Sequence, residues 1–261
     1  MTKSAFIQAV AQEVNGTVYT SEKANGVILE GITVKGEGNA APNIYVDRFF
    51  DEGYTVEETA EEVRKIAKRS ATNIDLSYFE DFDTVKSQLV ALLYNEKTTA
   101  EVSRKAPAPF DDLIITAAVT VSSPVIGNGI IRVKPEHLEL WGGVTADEVL
   151  DIAEENSRKD ATIQNMNEVL AEMGAPESML LDDCPMWVIS NTRRANGAYG
   201  VIALLDQLKD RFKSFTVLPS SIHEVLVVTV DSDEYDSMVQ EVNDTQVDYT
   251  DQLSNHAYKI A

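Results

Sequence analysis

Cysteine is nearly absent from this sequence: Cys184 is the single one among 261 residues. One cysteine excludes an internal disulfide and a thiolate cage for zinc, which is typical of a reducing compartment. The sequence also lacks any run of about 18 apolar residues, the length that a membrane-spanning helix requires. Its first residues lack the long apolar core of a signal peptide. We therefore expect a cytoplasmic protein that does not bind membranes.

Basic residues are scarce as well. The chain has 22 Lys and Arg against 43 Asp and Glu, a formal net charge of −21 at pH 7. Such a charge repels nucleic-acid phosphates and anionic lipids, so the composition argues against direct binding of either. It favours a protein partner with a basic surface. The commoner explanation of an acidic composition is simply a well-solvated surface, and both interpretations stay open at this point.

Complete catalytic and cofactor motifs are absent too. Gly36 to Ala41 fit the dinucleotide pattern G-x-G-x-x-A, but Pro42 and an extended segment follow where a helix is required to hold the pyrophosphate. No phosphate-binding G-x-x-x-x-G-K-[ST] loop occurs, and neither G-x-S-x-G nor S-x-x-K is present. His223 and Glu224 begin an H-E-x-x-H pattern, but Val227 stands where the second zinc-binding histidine is required. The two other histidines, His137 and His256, lie in different segments. We therefore predict no cofactor and no metal, and no catalytic residue is identified.

What the chain does contain is enough apolar sequence, 44%, to bury a sizeable core. Helical and strand patterns are mixed along it, which predicts an α+β fold. Pro107 and Pro109 are two residues apart, which forbids a helix and disfavours a central strand there. We predict a boundary near residue 108, with subdomains 1–108 and 109–261. Each is expected to be a mixed or antiparallel sheet covered by helices.

Local patterns predict several elements. The dipeptide at 25–26, Asn-Gly, predicts the turn of a hairpin between β-branched runs. Apolar spacing predicts helices at about 81–94 and about 163–173. Two capping boxes, in which a threonine is followed three residues later by a glutamate, predict helix starts at Thr55 with Glu58 and at Thr145 with Glu148.

Residues 186–230 are the predicted centre of the C-terminal half, because polar residues collect at two junctions, 190–196 and 220–224, between apolar strand patterns. Residues 191–214 hold five bases against two acids. If a helix begins near Ala198, its N-terminus favours an anion beside the preceding arginines. The candidate anion-binding or ligand-binding residues at the two junctions are Asn191, Arg193, Arg194, Asn196, Ser221, His223 and Glu224.

Ser221 and His223 are two residues apart, and in a strand this spacing places both side chains on one face. A serine–histidine pair of this kind is typical of a hydrolase, although it needs an oxyanion hole and an orienting acid as well. Simpler explanations exist for both junctions. The arginines can pair with the many acids of the chain, and the serines can stabilise the turn that leads into the strand.

A second candidate surface follows directly. The segment 231–251 contains eight acids and no Lys or Arg. Carboxylates in the first turn of a helix are favoured by the helix dipole, which is the simpler explanation for the first of them. A base-free acidic segment can also imitate a phosphate backbone. The candidate partner surface consists of Asp231, Asp233, Glu234, Asp236, Glu241, Asp244, Asp248 and Asp251.

Several separated blocks have a distinctive combination of residues: 25–31, 43–46, 140–142, 191–197, 218–225 and 241–247. Together they resemble a bacterial domain-of-unknown-function family, number 5688. One departure is the doubled glycine at 142–143, where the family pattern has one. The resemblance implies no established activity, cofactor or catalytic residue. It implies a family abundant in gut-type anaerobic Gram-positive bacteria and carried on mobile elements, a setting that favours inhibitors of host defence.

These observations favour a non-enzymatic acidic protein that binds another protein. One form of this role is a nucleic-acid mimic that inhibits a defence or DNA-processing enzyme. The alternative is a small-anion-binding protein or a hydrolase-like enzyme that uses the 191–196 and 220–224 junctions. A third hypothesis, a purely structural subunit, predicts a stable homo-oligomer without a ligand.

Overall fold

A computed structural model describes residues 1–36, 38–70, 73, 75, 77–123, 127–219 and 221–261. Helices and antiparallel sheets are mixed along these residues, which confirms the predicted α+β class. None of the helices in this described part is both long and apolar enough to cross a membrane.

Contacts divide the chain into two compact units. Unit 1 comprises residues 1–23, 27–77 and 123–127, and unit 2 comprises residues 24–26, 78–122 and 128–261. Residue 108, where the sequence predicts a boundary, lies within unit 2. The two prolines there lie in the connection between two strands of one sheet. A turn within a sheet and a linker between subdomains both favour residues that end a strand, so the prolines alone do not distinguish them.

Unit 1 consists of a small sheet and the helices packed on one of its faces. Its three antiparallel strands follow the order β1-β2-β3. Apolar side chains from the first and third helices and from the sheet form one core. The elements of this unit are α1 (Lys3–Glu13), β1 (Thr17–Glu22), β2 (Ile28–Thr33), β3 (Ile44–Tyr45), α2 (Asp47–Asp51) and α3 (Val56–Ser70).

The first half of unit 2 forms a four-stranded sheet, in which β6 pairs with β4, β5 and β7. One long helix, α6, packs against β4, and both faces of β4 are largely buried. The elements are α4 (Phe82–Val85), β4 (Leu89–Asn95), β5 (Ser103–Lys105), β6 (Leu113–Ser123), β7 (Gly127–Arg132), α5 (Pro135–Leu140) and α6 (Ala146–Asp160).

The second half of unit 2 forms a five-stranded antiparallel sheet with the order β12-β10-β11-β9-β8. One face joins the main core of the unit, with Ile189 and Val227 fully buried. The elements are β8 (Ala161–Asn165), α7 (Met166–Glu172), β9 (Met186–Asn191), α8 (Gly200–Ala203), α9 (Leu205–Phe212), β10 (Phe215–Leu218), β11 (Val225–Val228), α10 (Tyr235–Thr245) and β12 (Tyr258–Ile260).

Two of the predicted helices are wrong in part. The segment at about 81–94 begins with two short helical turns, 82–85 and 86–88, and then becomes β4, an apolar strand that pairs with β6 and packs against α6. The segment at about 163–173 begins as β8 and becomes helical only at Met166. In both cases the apolar spacing fits a helix and a buried strand equally well, and pairing with a neighbouring strand determines which of the two forms.

Candidate functional site

The two polar junctions of the C-terminal half meet in space. The carbonyl oxygen of His223 accepts hydrogen bonds from Ser190 Oγ at 2.8 Å and from the Gly197 amide at 2.9 Å. The Ala198 amide donates to the Ile222 carbonyl at 3.1 Å. These three hydrogen bonds therefore attach the end of the loop after β9 to the segment that precedes β11.

The ring of His223 is held between two partners. Its Nδ1 accepts from the Asn196 amide at 3.1 Å, which leaves the proton of a neutral ring on Nε2. Nε2 lies 3.4 Å from Asp251 Oδ2. Ser221 Oγ accepts from the amide of His223 at 3.2 Å, so its contact is with the backbone and not with the imidazole.

The segment at 221–224 forms bends before β11 begins at Val225, so the strand geometry expected for Ser221 and His223 is absent from it. Glu224 is half-buried beside them. Ser220, the first residue of this junction, lies outside the described residues.

Both arginines of the first junction are paired with acids. Arg194 forms a salt bridge with Glu172 and donates to Gln164 Oε1 at 2.9 Å. Arg193 lies 3.7 Å from Asp160 Oδ2. Asn191 closes its own loop, since its side chain donates to the Ala195 carbonyl at 2.9 Å and accepts from the Ala195 amide at 3.2 Å. The contacts of the two arginines are the pairings with acids that the acidic composition leads us to expect.

The cavity beneath this loop is small. Asn191, Arg193 and Asn196 line a volume of about 10 Å³, which matches a single water molecule and no larger ligand. The helix that follows, α8, has four residues, and its dipole is correspondingly weak. Tyr199 closes the floor at 1% exposure, and burial, with a hydrogen bond to Glu154, raises the pKa of its hydroxyl.

Several of the acids in 231–251 also have structural partners. Lys259 Nζ lies 3.0 Å from Asp231 and 3.5 Å from Asp233. Asp236 accepts from the Ala257 amide at 2.7 Å, and Asp248 accepts from the Thr250 amide at 2.8 Å. With Asp251 beside His223, these acids fix the chain around α10.

Three acids of this segment project into solvent. Glu234, Glu241 and Asp244 are exposed, and their carboxylates make no ion pair or hydrogen bond with other described residues. They lie on or next to α10, whose opposite side buries Tyr235, Val239 and Asn243. These three carboxylates are therefore available to a partner.

The segment 231–251 belongs to a larger pattern that the density of acids alone does not indicate. Residues 160–192 and 214–258 together contain 15 of the 43 acids and none of the 22 Lys and Arg. They also contain five of the six methionines. The absence of lysine and arginine identifies both stretches in the sequence, whereas the density of acids does not.

The two stretches meet on one face of the five-stranded sheet. Near β8, Gln164 Nε2 donates to Glu172 Oε1 of α7 at 3.1 Å. Near β10, Leu218 clusters with Tyr235 and Val239 of α10. We call this face, with α7, α10 and the loop at 173–185, the acidic face. The row of opposed residues that crosses it consists of Gln164, Val188, Leu226 and Leu218.

The described part of the chain holds no group of three or more His, Cys, Asp or Glu side chains placed to bind a metal ion. Comparison with curated proteins gave no match, and neither did comparison with solved structures. The model of a family of unknown function, DUF5688, matches residues 2–260. The chain therefore belongs to this family.

Proposed function

We propose that this protein is a non-enzymatic binding protein that uses its acidic face to bind a protein with a basic surface. The observation that carries the proposal is the separation of charge along the chain: 15 acids and no Lys or Arg in two stretches that share one face. The bases that reach this face from outside, Arg194 and Lys259, are already paired with acids. A field of one sign speeds encounter with a partner of opposite sign and rejects nucleic acid and anionic membranes.

One form of this function is imitation of nucleic acid. Exposed carboxylates along a helix offer negative charges to a groove whose bases normally contact phosphates. On this proposal the partner is a DNA-processing or defence enzyme, and the protein inhibits it by occupying that groove. Glu234, Glu241 and Asp244 are the carboxylates that we expect to take the place of phosphates.

The test is retention of basic proteins by the immobilised full chain, with two variants of equal charge change. The first variant is Glu234→Gln, Glu241→Gln, Asp244→Asn. The matched control neutralises three exposed acids elsewhere, Glu57→Gln, Glu61→Gln, Glu101→Gln. We expect the first variant to lose the retained proteins and the control to keep them. Equal retention by both variants contradicts binding through the acidic face.

Addition of duplex DNA to the same material separates mimicry from other acidic binding. A mimic and DNA compete for one groove, so DNA is expected to release the retained protein in proportion to its concentration. If the protein stays bound at saturating DNA, the partner surface is a different one and mimicry is wrong, whereas the more general binding function is unaffected.

The alternative, a small-anion-binding protein or a hydrolase-like enzyme at the two junctions, has less support. Arg193 and Arg194 are paired with acids, and the cavity that Arg193 lines with Asn191 and Asn196 accommodates about one water molecule. On its other side Arg193 borders an open depression of about 520 Å³ that contains none of the other candidate residues. Thermal unfolding with phosphate-bearing and carboxylate-bearing metabolites tests it, with Arg193→Ala as the control. A ligand-dependent rise in Tm that is lost in this variant would favour the alternative over the acidic-face proposal.

A further inference from the structure

The acidic face also exposes apolar side chains. Met173 is 76% exposed, Met179 66%, Leu181 58% and Met238 45%. None of the residues 161–187, all of which the structure describes, is buried. Methionine is unbranched and polarisable, and it is favoured on surfaces that adapt to apolar partners. Three of the four belong to one short segment, 173–181, which is different from the single, scattered apolar residues of an ordinary surface.

These side chains are held in place. The side-chain amide of Asn167 donates to the Leu181 carbonyl at 2.7 Å and accepts from the Leu181 amide at 3.1 Å. Asn165 Nδ2 donates to the Cys184 carbonyl at 3.1 Å. Two asparagines at the start of α7 therefore attach the loop at 173–185. An attached loop pays less conformational entropy when a partner covers its exposed side chains.

One side chain on this face of the central strand is only partly covered. Leu226 of β11 is half-buried and packs against the cluster of Leu218, Tyr235 and Val239, whereas its row neighbours Val188 and Leu218 are buried. The exposed apolar side chains therefore lie above the sheet, on α10 and in the loop after α7. The apolar side of an amphipathic helix is the element that covers side chains of this kind.

The charges around these exposed apolar side chains select the occupant. A second copy of the chain would bring an equally acidic face against it, and like charges oppose that contact. An anionic membrane and nucleic acid are repelled for the same reason. A basic amphipathic helix matches both the exposed apolar side chains and the negative charge of the face. Its apolar side covers the methionines, and its Lys and Arg reach the surrounding carboxylates.

We infer that the acidic face binds a basic amphipathic helix of a partner protein, with Met173, Met179 and Met238 as its apolar contacts. The inference rests on the proposed function and adds to it the kind of segment that is recognised. It predicts that binding has an apolar part that is insensitive to salt, in addition to the electrostatic part that salt screens.

The experiment uses two synthetic peptides made of leucine and lysine, with the same composition and charge. In one, leucine spacing makes an amphipathic helix, and in the other the order is scrambled so that no apolar face forms. Each carries a fluorophore, and fluorescence anisotropy gives its affinity for the full chain. We expect the amphipathic peptide to bind at least about tenfold more tightly than the scrambled one.

A methionine variant locates the contact. Met173→Ser, Met179→Ser, Met238→Ser is expected to lower the affinity for the amphipathic peptide at least about tenfold, because three apolar contacts are removed. The control variant, Tyr19→Ser, Ile28→Ser, changes exposed apolar residues of unit 1 and is expected to bind like the wild type. Both variants change exposed residues, and circular dichroism is the check that they fold.

The outcomes separate the inference from the proposed function. Equal binding of the two peptides overturns the inference and leaves the acidic binding function standing, because charge alone then accounts for the affinity. Tight binding of the amphipathic peptide that the methionine variant does not weaken also overturns it, since the contact then lies elsewhere. Failure of both peptides to bind at low salt overturns the inference and counts against the proposed function as well.

Discussion

At the scale of single residues, Gly197 determines how closely the two junctions approach. A Cβ at this position would lie 2.5 Å from Ser190 Oγ, 2.6 Å from the Asn191 nitrogen and 2.9 Å from the His223 carbonyl oxygen. Two of these atoms belong to the backbone, so a side chain cannot be accommodated by a rotamer change. The small cavity beside the loop follows from the same close approach.

We predict that Gly197→Ala lowers the free energy of unfolding by about 1–3 kcal/mol, because the methyl group forces the junctions apart. Urea unfolding measures it. The control is Gly129→Ala, where the nearest atom to a new Cβ, Val121 Cγ2, is at an ordinary 3.5 Å, and a change within about 0.5 kcal/mol is expected. If both substitutions have the same effect, close approach is not the reason for glycine at 197.

His137 makes stability depend on pH. Burial lowers its pKa, with Phe79 and Trp141 packed on its ring at centroid distances of 5.1 and 5.9 Å. Its Nδ1 accepts from the Lys134 amide, which a protonated ring cannot do. Because the folded state binds this proton less readily than the unfolded state, the stability that His137 contributes is complete above about pH 6.5 and is lost as the pH falls through the folded pKa.

The comparison that checks this is urea unfolding of the wild type and of His137→Gln at about pH 7.5 and about pH 5.5. Gln keeps an acceptor near the Lys134 amide and does not titrate. We expect the wild type to lose more stability over this interval than the variant does. A variant with an equal or larger loss would show that other groups cause the acid sensitivity.

Individual site residues were only partly predictable. The sequence indicates two polar junctions without indicating whether they meet, and the structure joins them through Asn196 and His223, which lie 27 positions apart and are hydrogen-bonded. The sequence does not indicate that Arg194 is already paired, since Glu172 reaches it from another segment. Such pairings depend on how β8 and α7 are placed against β9, and no local pattern contains that information.

At the scale of elements, features that depend on a few neighbouring residues could be predicted from the sequence. The Thr55 and Thr145 caps are confirmed, with each threonine Oγ accepting from the amide three residues later at 3.2 Å. The helix predicted at about 81–94 is wrong from Leu89 onward, because a run of apolar residues is compatible with either a helix or a strand until its neighbours are known. Here β6 supplies a complete antiparallel partner for β4.

Asp244 is unfavourable for the helix that carries it. Asp244 lies in the last turn, which has no basic residue, where the helix dipole disfavours a negative charge. Asp244→Asn is expected to stabilise the protein by about 0.3–0.5 kcal/mol. The control, Asp147→Asn in the first turn of α6, is expected to destabilise it by a similar amount.

Thermal or urea unfolding of the two variants gives the change in the free energy of unfolding for each. Changes of opposite sign show that the Asp244 carboxylate destabilises the folded protein, which we expect of a residue that serves binding. If Asp244→Asn is destabilising, this carboxylate has a structural partner in solution, and it should be removed from the group of acids proposed to contact a partner.

At the scale of the whole molecule, the sign of the net charge is visible in the sequence, but its placement is not. The stretches 160–192 and 214–258 are separated by the arginine-containing junction and by α9, which divide the acidic residues along the chain. They become one surface only because β8, β9, β11 and β10 are neighbours in the sheet. The order of strands is set by long-range pairing, so the sequence alone indicates an acidic protein without locating the proposed binding surface.

The central claim is that the acidic face is a protein-binding surface, and the methionine methyl groups report on it directly. Five of the six methionines belong to the two base-free stretches, whereas Met1 lies in unit 1. With ¹³C-labelled methionine methyl groups, we expect the amphipathic basic peptide to shift the resonances of Met173, Met179 and Met238 and to leave that of Met1 unchanged. Saturable binding that shifts none of these three resonances would contradict the account.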